Sequence, residues 1–169
     1  NLYFTTQLLE LNIPVILVLN MMDRLKVRKK NIDSVALKKI LGVAAVVPMS
    51  ARKKWGIEEL KSALNSLDEK NNFNSELKWN IPAKIQENLK PVKDFIQNYC
   101  GYNERLALGQ SIRLITKHSS LDYYKDVNIL SEKDYEKLKK ICIETTRKIR
   151  ENGISPSVLE ATFRYDMID

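Results

Sequence analysis

Two short apolar runs constrain this chain most: IPVILVL at residues 13–19 and VAAVVPMS at residues 43–50. A run that is apolar at nearly every position, not at alternate ones, suits a strand covered on both faces, as in a parallel sheet. Between them, residues 33–41 read as a helix, with Asp33 or Ser34 as its cap and Gly42 as its stop. Phe4, Leu8 and Leu11 fall at helical spacing and predict a short amphipathic helix over 2–11. Ile57, Leu60, Leu64 and Leu67 line one face of another helix. The first third is therefore ordered helix–strand–helix–strand–helix, an α/β pattern.

The composition changes at SLDEKNNFNSELKWN (66–80), a polar, Asn-rich stretch that reads as a linker. Beyond it no convincing strand signal remains. Ile85, Leu89, Val92, Ile96 and Tyr99 repeat at helical spacing, and Pro91 among them should kink or break that helix. Asn103 is placed to cap a helix running through Lys117. Ser131 with Asp134 three residues later makes an S-x-x-D capping box. The helix it opens carries Tyr135, Leu138, Cys142, Thr145 and Ile149 on one face, and Gly153 ends it. Ser155 followed by Pro156 starts a last helix, with Val158, Ala161, Tyr165 and Ile168 facing one way. The expected organisation is an α/β segment at 1–67, a linker at 68–80 and an all-α bundle at 81–169. Five glycines and five prolines in 169 residues fit such a helix-rich chain.

Several function classes are disfavoured. The apolar runs are far shorter than the roughly 20 residues needed to span a bilayer. The first residues show no basic segment leading into an apolar stretch, so no signal peptide is expected. Cys100 and Cys142 form no CxxC pair and fit a reducing compartment. His118 is the only histidine, too little for a His-rich metal site or a hydrolytic triad, and reads as a surface residue at a helix end. The net charge of +7 is uneven: residues 1–66 hold 11 Lys/Arg against 5 Asp/Glu, and the rest 17 against 16. A basic patch suits nucleic acid, a nucleotide or an anionic membrane face. The RLKVRKK run lacks the interleaved aromatic residues of a stacking platform, so no nucleic acid is expected.

Chemistry concentrates where the apolar runs end. In open α/β sheets, ligands sit beyond the carboxyl ends of the strands. Asn20 and Asp23 follow the first run, and Ser50, Ala51 and Arg52 follow the second. An ionised Asp only accepts hydrogen bonds and can accept two side by side. Guanine's Watson–Crick edge offers adjacent N1–H and N2–H₂ donors, whereas adenine presents an acceptor at N1. Asp23 would therefore take guanine and repel adenine, and a site built on paired hydrogen bonds discriminates strongly. The Asn20 amide could hold the loop and reach guanine N7. A backbone N–H near Ala51 could donate to O6. Met21 could lay its thioether on the base face.

N-x-x-D after one strand and S-A-R after the next resemble the two guanine-specificity motifs of Ras-like GTPases. The usual first motif is N-K-x-D; here it is Asn20-Met21-Met22-Asp23. With its surroundings, from NLYFTTQLLELNIPVILVLNMMD to VVPMSARKKWGIEELKSAL, this resembles the G domain of the bacterial ferrous iron transport protein B family, in which N-M-x-D replaces N-K-x-D. The helical remainder, ending in ATFRYDMID, is similar to that family's helical spacer, a GDP-dissociation-inhibitor-like domain. The resemblance implies part of a Ras-like sheet, with two parallel strands and their helices, followed by a helical bundle. It implies a GTP- and GDP-binding region of a ferrous iron transporter on the cytoplasmic face of the bacterial membrane. Asn20, Met21, Asp23, Ser50, Ala51 and Arg52 match the guanine-binding positions. Met in place of Lys goes, in the family, with weak nucleotide binding.

The phosphate-holding parts are not in these residues. A phosphate loop needs Gly, then Gly-Lys-Ser/Thr five residues on, and no two of glycines 42, 56, 101, 109 and 153 are five apart. No glycine has Asp three residues before it, so the D-x-x-G switch motif is lacking too. Mg²⁺ and the attacking water depend on those parts. The expectation is a chain cut from something longer, binding guanine weakly and inactive as a GTPase alone. Its partners would be guanine nucleotide, the missing half of the G domain and the membrane part of the same protein. An isolated strand pair is marginal and a free apolar edge invites pairing, so a homo-oligomer is also expected. Two further readings are another G protein, such as a ribosome-assembly GTPase, and a non-enzymatic helical interaction module.

Overall fold

A computed structural model describes residues 2–67 and 79–168, which form two compact units on either side of the break. The 68–80 linker expectation falls almost wholly outside the described residues.

The first unit runs α1 (Leu2–Leu9), β1 (Ile16–Leu19), α2 (Met22–Val27), α3 (Ser34–Leu41), β2 (Ala45–Pro48) and α4 (Ile57–Asn65). The strands pair in parallel, with Ile16 opposite Ala45 and Leu19 opposite Pro48. A parallel pair needs a crossover too long for a hairpin, and α2 and α3 supply it. Asp33 caps α3, its Oδ1 accepting from the Val35 and Ala36 N–H groups at 3.0 and 2.9 Å. Gly42 closes the helix in the left-handed region, φ 64°. Leu9, Leu41 and Val43 form the small core, with Val15, Leu17, Leu37 and Val46 packed on it.

Two expectations for this unit need correction. The first strand begins at Ile16, not residue 13, and it is not covered on both faces: Ile13 is 46% and Val18 38% exposed. Pro14 has no N–H to give a ladder, and among the described residues the sheet has only these two strands. Likewise, no residue of α4 is fully buried, Leu64 is exposed, and Leu67 lies beyond the helix.

The second unit is helical throughout among the described residues: α5 (Ala83–Cys100), α6 (Glu104–Thr116), α7 (Asp122–Asp126), α8 (Glu132–Glu151) and α9 (Leu159–Tyr165). The 3₁₀ turns at His118–Leu121 and Pro156–Val158 lead into α7 and α9. One continuous core joins Ile85, Leu89, Val92 and Ile96 of α5 to Ile112 and Ile115 of α6 and Leu138, Cys142 and Ile149 of α8. The Asn103 side chain accepts from the Leu106 N–H at 2.9 Å. The Ser131 hydroxyl accepts from the Asp134 N–H at 3.2 Å and donates back to its carboxylate at 2.6 Å.

Pro91 does not break α5. It lies on the exposed side, as does Glu87, whose carbonyl loses its usual donor there. Water can satisfy an exposed carbonyl, so the proline is tolerated. In α9 the sequence pattern picked the wrong face. Leu159 and Phe163 are buried, whereas Val158 and Tyr165 are exposed. The opening 3₁₀ turn has three residues per turn, not 3.6, and this shifts the phase of the α-helix behind it.

Candidate functional site

The first loop is built by one side chain. Asn20 directly follows β1, and its Oδ1 accepts from the Met21 N–H at 2.8 Å and the Ala51 N–H at 3.1 Å. Met21 then turns the chain sharply, in the left-handed region at φ 63°. Met21 is 54% exposed, while Met22 beside it is buried. That anchor sets Asp23 and Arg24 on the first turn of α2, where the Arg24 N–H donates to the Met21 carbonyl at 3.0 Å.

The second loop is held from below. Met49 donates to the Leu19 carbonyl at 2.9 Å and accepts from the Met22 N–H at 3.2 Å. Ser50 is buried and forms a two-way antiparallel bridge with Trp55, at 3.1 and 3.3 Å, that closes the turn over residues 51–54. The next residue must be glycine. At Gly56 φ is +81°, and an added Cβ would lie 2.6 Å from both Met49 Cβ and the Pro48 carbonyl oxygen.

Asp23 and Ser50, 27 residues apart, meet where the loops converge. The Ser50 hydroxyl donates to Asp23 Oδ1 at 2.9 Å. That bond, most of all, holds the Asp23 carboxyl below its ordinary range; burial pulls the other way, and the nearby Lys53 and Arg52 charges add to the lowering. Asp23 is therefore an ionised acceptor at neutral pH. Ser50 engages only one of its two oxygens, and each oxygen of a carboxylate has two lone-pair sites.

A pocket of about 110 Å³ opens here, lined by Asn20, Met21, Asp23, Arg24, Ser50 and Arg52. Five of the six residues singled out from sequence line it. The sixth, Ala51, is not among the lining residues; its N–H donates to Asn20 Oδ1 and ties the two loops together. Arg24 was missed by sequence reasoning; its place on the first helical turn after Asp23 was the available signal. No cluster of three or more His, Cys, Asp or Glu able to hold a metal occurs among the described residues.

The second unit offers less chemistry. His118 Nε2 is 2.8 Å from the Thr146 hydroxyl. Burial pushes the Cys142 thiol up to about 12, far from a reactive thiolate. None of the described helices is long and apolar enough to cross a membrane.

With this geometry in place, the likeness to known proteins is specific. Residues 1–64 match a family described as "Ferrous iron transport protein B". The Fe(2+) transporter FeoB of Legionella pneumophila (strain Paris) is 29% identical over 163 residues, covering 88% of this chain and 21% of that protein. The Fe(2+) transporter FeoB of Salmonella typhimurium is 48% identical over 65 residues, 38% of this chain and 8% of that protein. The chain thus spans about a fifth of the length of the first of these relatives. Among solved structures, a doubly substituted S. thermophilus NFeoB bound to GDP.AlF4- superposes with a TM-score of 0.72 at 26% identity, covering 99% of this chain and 61% of that one. The cytosolic domain of L. pneumophila FeoB gives 0.67 at 28% identity, covering 99% and 58%. The α/β unit and the helical unit each match the fold of these proteins.

Proposed function

We propose that this chain, whose residues 1–64 match the ferrous iron transport protein B family and which is similar throughout to the cytosolic domain of L. pneumophila FeoB, carries the guanine-reading half of a nucleotide site and the helical regulatory domain of a ferrous iron transporter. It would work at the cytoplasmic face of the bacterial membrane, with GTP and GDP as ligands. The observation that carries this reading is the paired loop. Asn20 ties the two loops together, and Ser50 fixes the ionised Asp23 carboxylate at the pocket they form. An acceptor-only carboxylate so fixed suits the two adjacent donors of guanine and opposes the acceptor of adenine. The related S. thermophilus domains solved with GDP.AlF4- and with GMPPNP support the same ligand class.

What these residues fit is the base. Met21 replaces the customary Lys of the motif, and no phosphate loop occurs in the 169 residues. The phosphate-loop Lys and Ser/Thr that would meet phosphates and Mg²⁺ are not in this sequence. We infer that the 169 residues alone bind guanine nucleotides weakly and do not hydrolyse GTP. The free edge of β1 and the exposed Val18 support pairing with the rest of a G domain or with a second copy.

The test is an NMR titration of the ¹⁵N-labelled chain with GDP and, separately, ADP. The expected result is GDP-selective shifts of the Asn20, Asp23, Ser50 and Ala51 amides, lost in Asp23→Ala. Equal responses to ADP would refute the guanine reading. Phosphate release from GTP by the chain alone, abolished by Asp23→Ala, would refute the inference of inactivity.

A further inference from the structure

We propose that the β1–β2 crossover and the loop after β2 form a docking surface for anionic lipid headgroups. Between residues 23 and 54 the sequence has ten Lys/Arg and two acids, Asp23 and Asp33. All ten cations are exposed. Among the described residues none of the ten forms a salt bridge, whereas Lys61 just beyond them pairs with Glu58. Asp33 is engaged as the cap of α3, Asp23 lies beside Lys53 and Arg52, and two carboxylates leave most of the ten positive charges unbalanced.

The backbone adds a second, independent observation. Lys29 and Lys54 both lie in the left-handed region, at φ 52° and 54°, where glycine or asparagine is the ordinary occupant. Lys29 sits at the glycine position of a Schellman turn: its N–H donates to the Lys26 carbonyl at 3.1 Å, and the Lys30 N–H to the Leu25 carbonyl at 3.0 Å. Strained backbone of this kind clusters at functional sites, and what these two exposed positions present to solvent is a charge. The two turns adjoin, since the Lys26 ammonium lies 4.6 Å over the Trp55 ring, next to Lys54.

The partner's chemistry follows from what lies between the cations. Val27 and Val35 are 82% and 79% exposed, aliphatic groups suited to a headgroup boundary. Trp55 is the only aromatic residue between positions 12 and 67, and it is half-buried with Lys26 over its ring, so the patch lacks the succession of aromatic rings on which bases stack. Juxtamembrane cations attract anionic lipid surfaces without insertion.

The experiment is co-sedimentation of the 169-residue chain with phosphatidylserine/phosphatidylcholine vesicles, with pure phosphatidylcholine vesicles, and retention on poly(U). Binding should require phosphatidylserine and fall with added NaCl. Each lysine removed should lower partitioning about fivefold, so Lys29→Gly/Lys54→Gly should lower it about twenty-five-fold. Glycine suits both backbone positions, so this variant should unfold no more readily than the parent. Arg28→Gln/Lys30→Gln, at positions free of backbone strain beside Lys29, gives the same reading without a glycine. Equal binding to neutral vesicles, undiminished binding by both variants, or preference for poly(U) over vesicles would overturn the proposal. None of these outcomes depends on whether the neighbouring pocket takes guanine.

Discussion

Asn20 Oδ1 lies 3.1 Å from the backbone nitrogen of Ala51, joining two loops separated by 31 positions in the chain. The same oxygen accepts from Met21 at 2.8 Å, so one side-chain atom fixes both the turn out of β1 and the turn out of β2.

Replacing Asn20 with Ala should therefore do more than delete a surface contact. Two backbone N–H groups lose their acceptor, and an exposed pair of this kind is worth about 1–2 kcal/mol. Urea unfolding should show that loss. Asn20→Asp, which keeps the oxygen, should recover most of it.

Ser50→Ala tests the electrostatics. The Ser50 hydroxyl is the main reason the Asp23 carboxyl titrates below its ordinary range. Its removal should raise that titration toward the ordinary value, readable by ¹³C NMR of the Asp23 side chain. A folded-state pKa below the unfolded one gives a stabilising contribution present above the unfolded pKa and lost as pH falls through the folded one. Ser50→Ala should flatten that acid-side dependence and leave neutral-pH behaviour of the carboxylate unchanged.

Gly56 and Gly153 make a matched pair. Both have left-handed backbones, φ +81° and +77°, but only Gly56 has atoms where a Cβ would go. Gly153→Ala should cost about 1 kcal/mol, the backbone preference alone. Gly56→Ala should cost about 3 kcal/mol or more, because Met49 and Pro48 must move as well. Thermal midpoints of the two variants should separate accordingly.

The thiols should differ in accessibility. Cys142 is fully buried, with its thiol pushed up to about 12, and the half-buried Cys100 is raised by burial too. In the native chain a thiol reagent at mild alkaline pH should label Cys100 slowly and leave Cys142 untouched. In denaturant both should react at once. Rapid native labelling of Cys142 would show that the α8 core is not closed.

Much of this fold could be read from the amino acids alone. The caps at Asp33, Asn103 and Ser131 are legible because a short oxygen-bearing side chain ahead of an apolar repeat has one dominant use. The buried stripe of α8 was legible because twenty residues give several turns of repeat. The misreadings have local causes. α9 is short and follows a 3₁₀ turn, so two stripes fit the sequence equally well. Ile13 and Val18 look buried in a sequence because apolarity does not say whether a neighbouring strand is there to cover them. At the candidate site, the convergence of Asn20, Asp23 and Ser50 was readable from strand order. The bond between Asn20 and Ala51 was not, since which of two partners an N–H chooses depends on distances of tenths of an ångström.

Trp55 and Trp79 are the two tryptophans of the chain. The backbone of Trp55 is paired with Ser50, whose hydroxyl holds Asp23, and its ring lies under the Lys26 ammonium. A Trp79→Phe version would leave a single indole emitter wired to both the carboxylate pocket and the cationic turn. Ligand capture at Asp23 and charge neutralisation at Lys26 would then each change the emission of one ring, giving an optical readout of both surfaces without any added dye.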